Sequence, residues 1–275
     1  MKTIAALLTC HNRKVKTLRS LSALFSQTGI DSEFSLEVFL VDDASSDGTA
    51  EAVRRQFPRV KIIAGNGNLF WNRGMHLAWD TAASTAKFDY YLWLNDDTTL
   101  TDLAINEMLE CSFSSGDMTL ICGSTCGEQS GKVTYGGKNK LGQYLIPNNE
   151  IQECSIINGN SVLVPNKVFQ MIGNLDVMFP HAIGDQDYGL RLLQKGGRCV
   201  TTKNFIGFCE SNPKLPNWCY QETPILQRLK SLYSPLGYSH PKYFFLYEKR
   251  HFGLFTAIKH FCSIHLRVFI PSLWR

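Results

Sequence analysis

The sequence predicts an α/β fold on a largely parallel sheet, followed by a helical, basic C-terminal extension. Three observations carry this reading. Apolar runs of strand length alternate with segments of helical spacing, the links between them are short, and polar clusters fall where the runs end. Thr3–Thr9 reads as a first strand and Val15–Gln27 as a helix, with Leu18, Leu21, Leu24 and Phe25 on one face. Leu36–Val41 is a second strand ending at Asp42 and Asp43, and Ser45–Gly48 supplies a capping cluster for a helix over Thr49–Phe57. Val60–Ala64 is a third strand, Trp71–Ser84 a helix, and Tyr90–Leu94 a fourth strand ending at Asn95, Asp96 and Asp97. Such alternation implies right-handed βαβ units, whose ligands bind beyond the carboxyl ends of the strands. Thr9–Arg13, Asp42–Asp43 and Asn95–Asp97 all fall at such ends.

Beyond Leu100 the pattern loosens. A helix over Asp102–Cys111 leads to a strand near Thr119–Gly123, then a glycine-rich stretch suited to hairpins. Ile156–Val164 is apolar but interrupted by Asn158, Gly159 and Asn160. Val168–Ile172 and Gln186–Gln194 have helical spacing, and Arg198–Phe208 reads as strands. Pro213, Pro216, Pro224 and Pro235 mark a seam, so residues 1–210 are expected to form the main domain and 211–275 the extension.

Of the 275 residues, 44% are hydrophobic and 19% charged, enough for a sizeable core and against disorder. A net charge of +4 is too small to require nucleic acid. It is unevenly placed. The extension carries nine basic residues, Lys214 and Arg275 among them, against Glu222 and Glu248, which leaves the body mildly acidic. The nine cysteines contain no CxxC pair and no zinc spacing; Cys10, Cys122, Cys199 and Cys262 lie in apolar stretches and read as reduced core residues. The N-terminal run has no small-residue cleavage site and reads as a buried strand. No run approaches the length of a membrane span, and the expected compartment is the cytoplasm.

Three acidic clusters can carry chemistry. Asp42-Asp43 can accept from a nucleobase imide or ribose hydroxyls, or simply form a turn before Thr49. Asn95-Asp96-Asp97 can hold a hard divalent cation beside a diphosphate, or cap the next helix. Of Asp185 and Asp187, one can act as a general base while the other caps the helix that carries Arg191. The absence of GxSxG, a P-loop and a GxGxxG after a strand weakens hydrolase, NTPase and dinucleotide-binding readings. Trp71, Trp79 and Trp93 read mainly as core, and His240, His251, His260 and His265 as surface groups.

Taken together, five ordered motifs resemble the inverting glycosyltransferase family 2: TCHNR at 9–13, VDDASSDGT at 41–49, GNLFWNRGMHLA at 67–78, LNDDT at 94–98 and GDQDYGLRLLQKGG at 184–197. NLFW, the YGG at 135–137, the H-x-x-G-D-x-D-Y pattern and the basic tail are similar to its rhamnosyltransferase-like branch, whose enzymes build bacterial surface polysaccharide such as O-antigen. The resemblance implies the GT-A fold, a Rossmann-like, mostly parallel sheet with flanking helices. It also implies transfer of a sugar from a UDP- or dTDP-linked donor, rhamnose among the candidates, to a hydroxyl of a glycan or polyprenyl-linked glycan.

By that resemblance Asp185 is the catalytic base and Asp97 the ligand of Mg²⁺ or Mn²⁺. Thr9, His11, Arg13, Asp43, Asn72, Arg73 and Asp96 would serve the donor, and Asp187, His181, Arg191 and Trp71 would stand behind the base or on the acceptor side. Two departures stand out: Asn95 replaces the first acidic position of the metal motif, and Gly184 replaces the Glu that usually precedes the base. Other readings are a sugar nucleotidyltransferase, disfavoured because TCHNRK lacks glycine, and a non-catalytic nucleotide- or carbohydrate-binding scaffold. The tail has an apolar face at Leu254, Ile258, Phe261 and Ile264 flanked by cations. It can lie on an anionic membrane, giving peripheral attachment at the inner face of the cytoplasmic membrane, or pack on the body or on a second copy in a homodimer.

Overall fold

The structure is a computed structural model that describes residues 1–211, 215–237 and 239–274; Pro213, Lys214 and Arg275, noted above, lie outside the described residues. In chain order the main elements are β1 (Lys2–Cys10), α1 (Lys14–Phe25), β2 (Phe34–Asp42), α2 (Thr49–Gln56), β3 (Val60–Ala64), α3 (Phe70–Thr85), β4 (Tyr90–Leu94), β5 (Thr99–Leu100) and α4 (Ala104–Ser115). Then come β6 (Thr119–Cys126), β7 (Val133–Tyr135), β8 (Ser161–Pro165), α5 (Asn166–Ile172), α6 (Gly184–Gln194), β9 (Arg198–Phe208), α7 (Ile225–Leu232), α8 (Pro241–Phe252) and α9 (Leu254–Phe269).

The sheet is mixed and largely parallel, in the order β3-β2-β1-β4-β8-β6-β9-β5, with β7 on β6. The first four strands are parallel, as their helical crossovers require. In the second half the pairing is mixed: β8 runs antiparallel to both β4 and β6, whereas β9 runs parallel to β6. Register sets the site. Cys10 pairs with Asp42, and Asp42 with Ala64, so the polar segments after β1, β2 and β3 share one edge. Leu94 pairs with Ser161, which places Asn158–Asn160 beside Asn95–Asp97.

β1 is buried on both faces, as a continuous apolar run in a parallel sheet should be. Ile4, Ala6 and Leu8 join Leu21 and Leu24 of α1 and Ile105 and Met108 of α4. The alternate residues Ala5 and Leu7 join Met75, Ala78, Trp79 and Ala82 of α3, an i, i+3, i+4, i+7 stripe. Each large side chain fully buried there contributes about 1.5–3 kcal/mol relative to exposure.

Pro241 occupies the first turn of α8, and Gly253, at φ +91°, makes the joint to α9. Tyr247 of α8 packs on Phe179 and Ile183 of the body. Ile264 and Val268 of α9 pack with Trp218 and Leu232. The outer side of α9 stays apolar and exposed: Leu254 53%, Phe255 84%, Ile258 48%, Phe269 60%. Two expectations are corrected. Cys262 is exposed on that side, because the inward stripe of α9 runs through Ala257, Ile264 and Val268. His251 is not a surface group, since its side chain is 1% exposed against Asp187. Among the described residues, no helix is long and apolar enough to cross a membrane.

Candidate active site

Two cavities meet at the carboxyl edge of the sheet. The larger, about 430 Å³, is lined by Thr9, Cys10, His11, Asp43, Gly67, Phe70 and Leu236. The smaller, about 240 Å³, is lined by Asn95, Asp97, Tyr135, Asn158, Gly159, Asn160, Ala182 and Asp185. Arg13, Trp71, Asp96 and His181 line both, so these four form the passage between them.

In the larger cavity, His11 donates from Nδ1 to the Asp43 carbonyl at 2.6 Å, since a carbonyl can only accept. That fixes the ring, whose Nε2 accepts from the Asn12 amide at 3.1 Å. Asp43 accepts from the backbone N–H groups of Gly67 at 2.7 Å, Leu69 at 2.9 Å and Phe70 at 3.0 Å. Its carboxylate therefore moulds the loop before α3 as well as lining the cavity.

At the passage, Arg13 bridges both carboxylates, reaching Asp96 at 2.9 Å and Asp97 at 3.1 Å, while Lys16 approaches Asp97 at 3.5 Å. Burial, reinforced by Asp97 and opposed by Arg13, pushes Asp96 up to about 6. Asp97 is the more open carboxylate, and hard oxygen ligands of this kind suit Mg²⁺ or Mn²⁺. Among the described residues, no three His, Cys, Asp or Glu side chains converge on a metal position. Asp97 thus fits a cation of the kind that takes one or two carboxylates and completes its shell with phosphate oxygens and water.

Asn95 has a structural reason to be an amide. Its Oδ1 accepts from Trp71 Nε1 at 2.7 Å, while its Nδ2 donates to Asn160 Oδ1. An ionised Asp could accept the first bond but could not donate the second.

Asp185 opens α6 and is buried at the wall of the smaller cavity. Its Oδ2 accepts from the Gly159 N–H at 2.8 Å and its Oδ1 from the Gln186 N–H at 2.8 Å. Burial raises its pKa despite these bonds. Two glycines admit this packing. A Cβ at Gly159 would meet Trp71 at 2.5 Å, and one at Gly184 would meet Asn72 Oδ1 at 1.8 Å, so a Glu at 184 has no room. Above the cavity, His181 Nδ1 accepts from the Trp71 N–H at 3.3 Å, which leaves the proton on Nε2. Burial, then Arg13, lowers its pKa to about 4, so the ring is neutral near pH 7.

Four residues outside glycine hold positive φ around this edge: Asn12 (52°), Ala44 (57°), Phe70 (58°) and Ile183 (77°). The β-branched Ile183 is the most strained, and it immediately precedes α6.

Several residues singled out in the sequence lie outside both cavities. Asn72 is buried and donates to the carbonyls of Asp176 at 2.8 Å and Phe179 at 2.7 Å. Arg73 donates to the Val177 carbonyl at 2.9 Å instead of approaching the passage. Both side chains pin the loop before α6. Arg191 and Asp187 pair at 2.8 Å on the far side of α6. Conversely, Tyr135, Asn158, Gly159, Asn160, Phe70 and Leu236 line the cavities without having been chosen. The break that Asn158-Gly159-Asn160 makes in an apolar run was the local signal for those three, Phe70 and Tyr135 lay within the NLFW and YGG sequences, and Leu236 had none.

A model of glycosyl transferase family 2 matches residues 6–170. The chain belongs to glycosyl transferase family 2. Among solved structures it is similar to the mannosyltransferase PcManGT from Pyrobaculum calidifontis, in complex with GDP-Man and Mn²⁺, at 15% identity and TM-score 0.56, covering 96% of this chain and 75% of that one. It is also similar to S. aureus TarS at 15% identity and TM-score 0.59, covering 92% of this chain and 44% of that one. A third match, TarS 1-349 in complex with UDP, has 14% identity and TM-score 0.57, with coverage of 92% and 72%. At these identities the structures show a shared fold. The curated proteins contain no significant match. The family 2 chain is thus a glycosyltransferase of GT-A fold.

Proposed function

We propose that this glycosyltransferase moves a sugar, with inversion, from a UDP- or dTDP-linked donor to a hydroxyl of a glycan or polyprenyl-linked glycan. The observation that carries this is Asp185, a buried carboxylate of raised pKa, in a cavity that opens through Arg13 and Asp96 into a second, nucleoside-sized cavity. In this reading residues 1–210 are the catalytic domain. Thr9, His11 and Asp43 face base and ribose, and His11 offers a ring to stack on. Arg13 and Lys16, both half-exposed, can turn from Asp97 to the diphosphate. Asp97 would hold Mg²⁺ or Mn²⁺, which would supply positive charge against the diphosphate leaving group.

Asp185 takes the proton of the acceptor hydroxyl as its oxygen bonds to the anomeric carbon. The bond from that carbon to the diphosphate oxygen breaks, and the nucleotide diphosphate leaves from the opposite face. A base so placed contributes ~10²–10⁴ in rate. Neutral His181, with its proton on Nε2, can donate to a sugar hydroxyl without opposing the charge at Asp185.

Rhamnose is the donor sugar favoured by the NLFW and YGG sequences, and surface polysaccharide such as O-antigen the product. A lipid-linked acceptor also gives a purpose to the exposed apolar side of α9, with Lys249 and Lys259 exposed nearby, as a peripheral contact with the cytoplasmic face of the membrane. A panel of nucleotide-diphosphate sugars, with and without Mn²⁺, tests the assignment. Mn²⁺-dependent release of UDP or dTDP from at least one donor is expected; no turnover of any donor by folded protein refutes it.

A further inference from the structure

Helix α8 of the C-terminal extension packs on α6, whose first turn carries Asp185, and meets it from that turn to the last. Tyr247 packs on the strained Ile183, in one apolar cluster with Phe179 and Leu190. Its hydroxyl donates to Gln186 Oε1 at 3.5 Å. One turn further along α8, Arg250 Nη1 reaches Asp187 Oδ1 at 2.7 Å, and His251 Nε2 donates to the same oxygen at 2.9 Å. His251 Nδ1 accepts from the Gln194 side-chain amide at 3.1 Å, in the last turn of α6.

Asp187 is fully buried, and its other oxygen accepts from Arg191 Nε at 2.8 Å. Burial alone would raise its carboxyl pKa, but His251 and the two guanidinium groups hold it below the usual carboxylate value. Arg250 and Arg191 also reach beyond α6. Arg250 Nη2 bonds Asp176 Oδ2 at 2.7 Å, and Arg191 donates to the carbonyls of Ile172 at 2.7 Å and Asn174 at 3.0 Å. Asp176 is the residue whose carbonyl receives Asn72 of α3. The loop before α6 and α6 itself are thereby fastened to one helix from the C-terminal extension.

We infer that Arg250 and His251 are positioning residues for the transfer reaction, holding Asp187 and, through it, the first turn of α6 so that Asp185 keeps its place in the cavity. The inference rests on the proposed role of Asp185. A positive φ at Ile183 costs energy that its neighbours must offset, and Tyr247 and the ion cluster on Asp187 bracket Asp185 on both sides. Neither Arg250 nor His251 lines either cavity, so both act only through α6.

Arg250→Ala and His251→Ala, made separately in the full chain, test this. Each is expected to lower kcat by about 10²-fold, the scale of a small displacement of a catalytic group, with donor KM within about twofold of wild type. Arg250→Lys and His251→Gln, which keep a donor, should recover part of the loss. Hydrogen exchange should quicken at the α6 amides while β1 and β4 stay protected. Wild-type kcat in both alanine variants, or a loss shared equally by donor KM, would overturn the proposal, as would unchanged exchange in α6. If the wild-type protein turns over no nucleotide sugar, the functional reading has failed; the exchange measurement then decides by itself whether α8 holds α6.

Discussion

At the residue scale, the proposed base Asp185 combines two properties that oppose each other: a base must be ionised to take a proton, yet this carboxylate is buried. Two backbone N–H bonds stabilise the ionised form, but burial prevails and the pKa is raised. The consequence for pH has a definite sign. Protonation removes the base, so kcat should fall on the acid side through a pKa above the ordinary aspartate value of about 3.9. A kcat–pH profile of wild-type protein measures it, and an acid limb at or below that value would place the reaction's base elsewhere. The placement of Asp185 in the first turn of a helix was legible in the sequence because its motif is local. The reason for Gly184 was not legible, since the Asn72 amide that fills its Cβ position comes from α3. Asn95 is similar. Its substitution was visible, but its amide partner Asn160 lies 65 residues away, and only the pairing of β4 with β8 brings them together.

At the element scale, the parallel half of the sheet was legible because each strand is a short, mostly apolar run and each following helix an amphipathic one. Most element ends stayed or moved by no more than three residues, as with α3, which starts at Phe70 rather than Trp71, while the end of α4 moved by four, from Cys111 to Ser115. The second half was harder: Ile156–Val164 yields only the strand Ser161–Pro165, because Asn158–Asn160 is spent on the cavity floor. The tail was read as a choice between a membrane face and a packing face; both α8 and α9 pack inward, and α9 also keeps an exposed apolar side. α8 packs on the body through Tyr247, whereas α9 packs through Ile264 and Val268 and leaves Phe255 and Phe269 outward. Replacing Phe255, Ile258 and Phe269 together by Ser should therefore weaken sedimentation with anionic vesicles without altering turnover of a soluble acceptor. Wild-type protein that fails to sediment at low salt, or a triple variant that sediments equally well, would remove the membrane from this picture.

At the scale of the whole molecule, one edge of one sheet gathers groups from every part of the chain. β1 and β2 bring Thr9, His11 and Asp43 to the larger cavity, β4 brings Asp96 to the passage and Asp97 to the smaller cavity, and α6 brings Asp185 to that smaller cavity. α8 backs α6 from outside through residues 63 and 64 positions from Asp187, a separation that no local motif announces. That distance is why His251 read as a surface group. The catalytic role of Asp185 is the claim on which the rest depends, and Asp185→Asn, which keeps the shape and removes the charge, tests it most directly. Transfer at saturating donor should fall by ~10² or more while the nucleotide diphosphate binds as it does to wild type. Wild-type transfer by Asp185→Asn would contradict it.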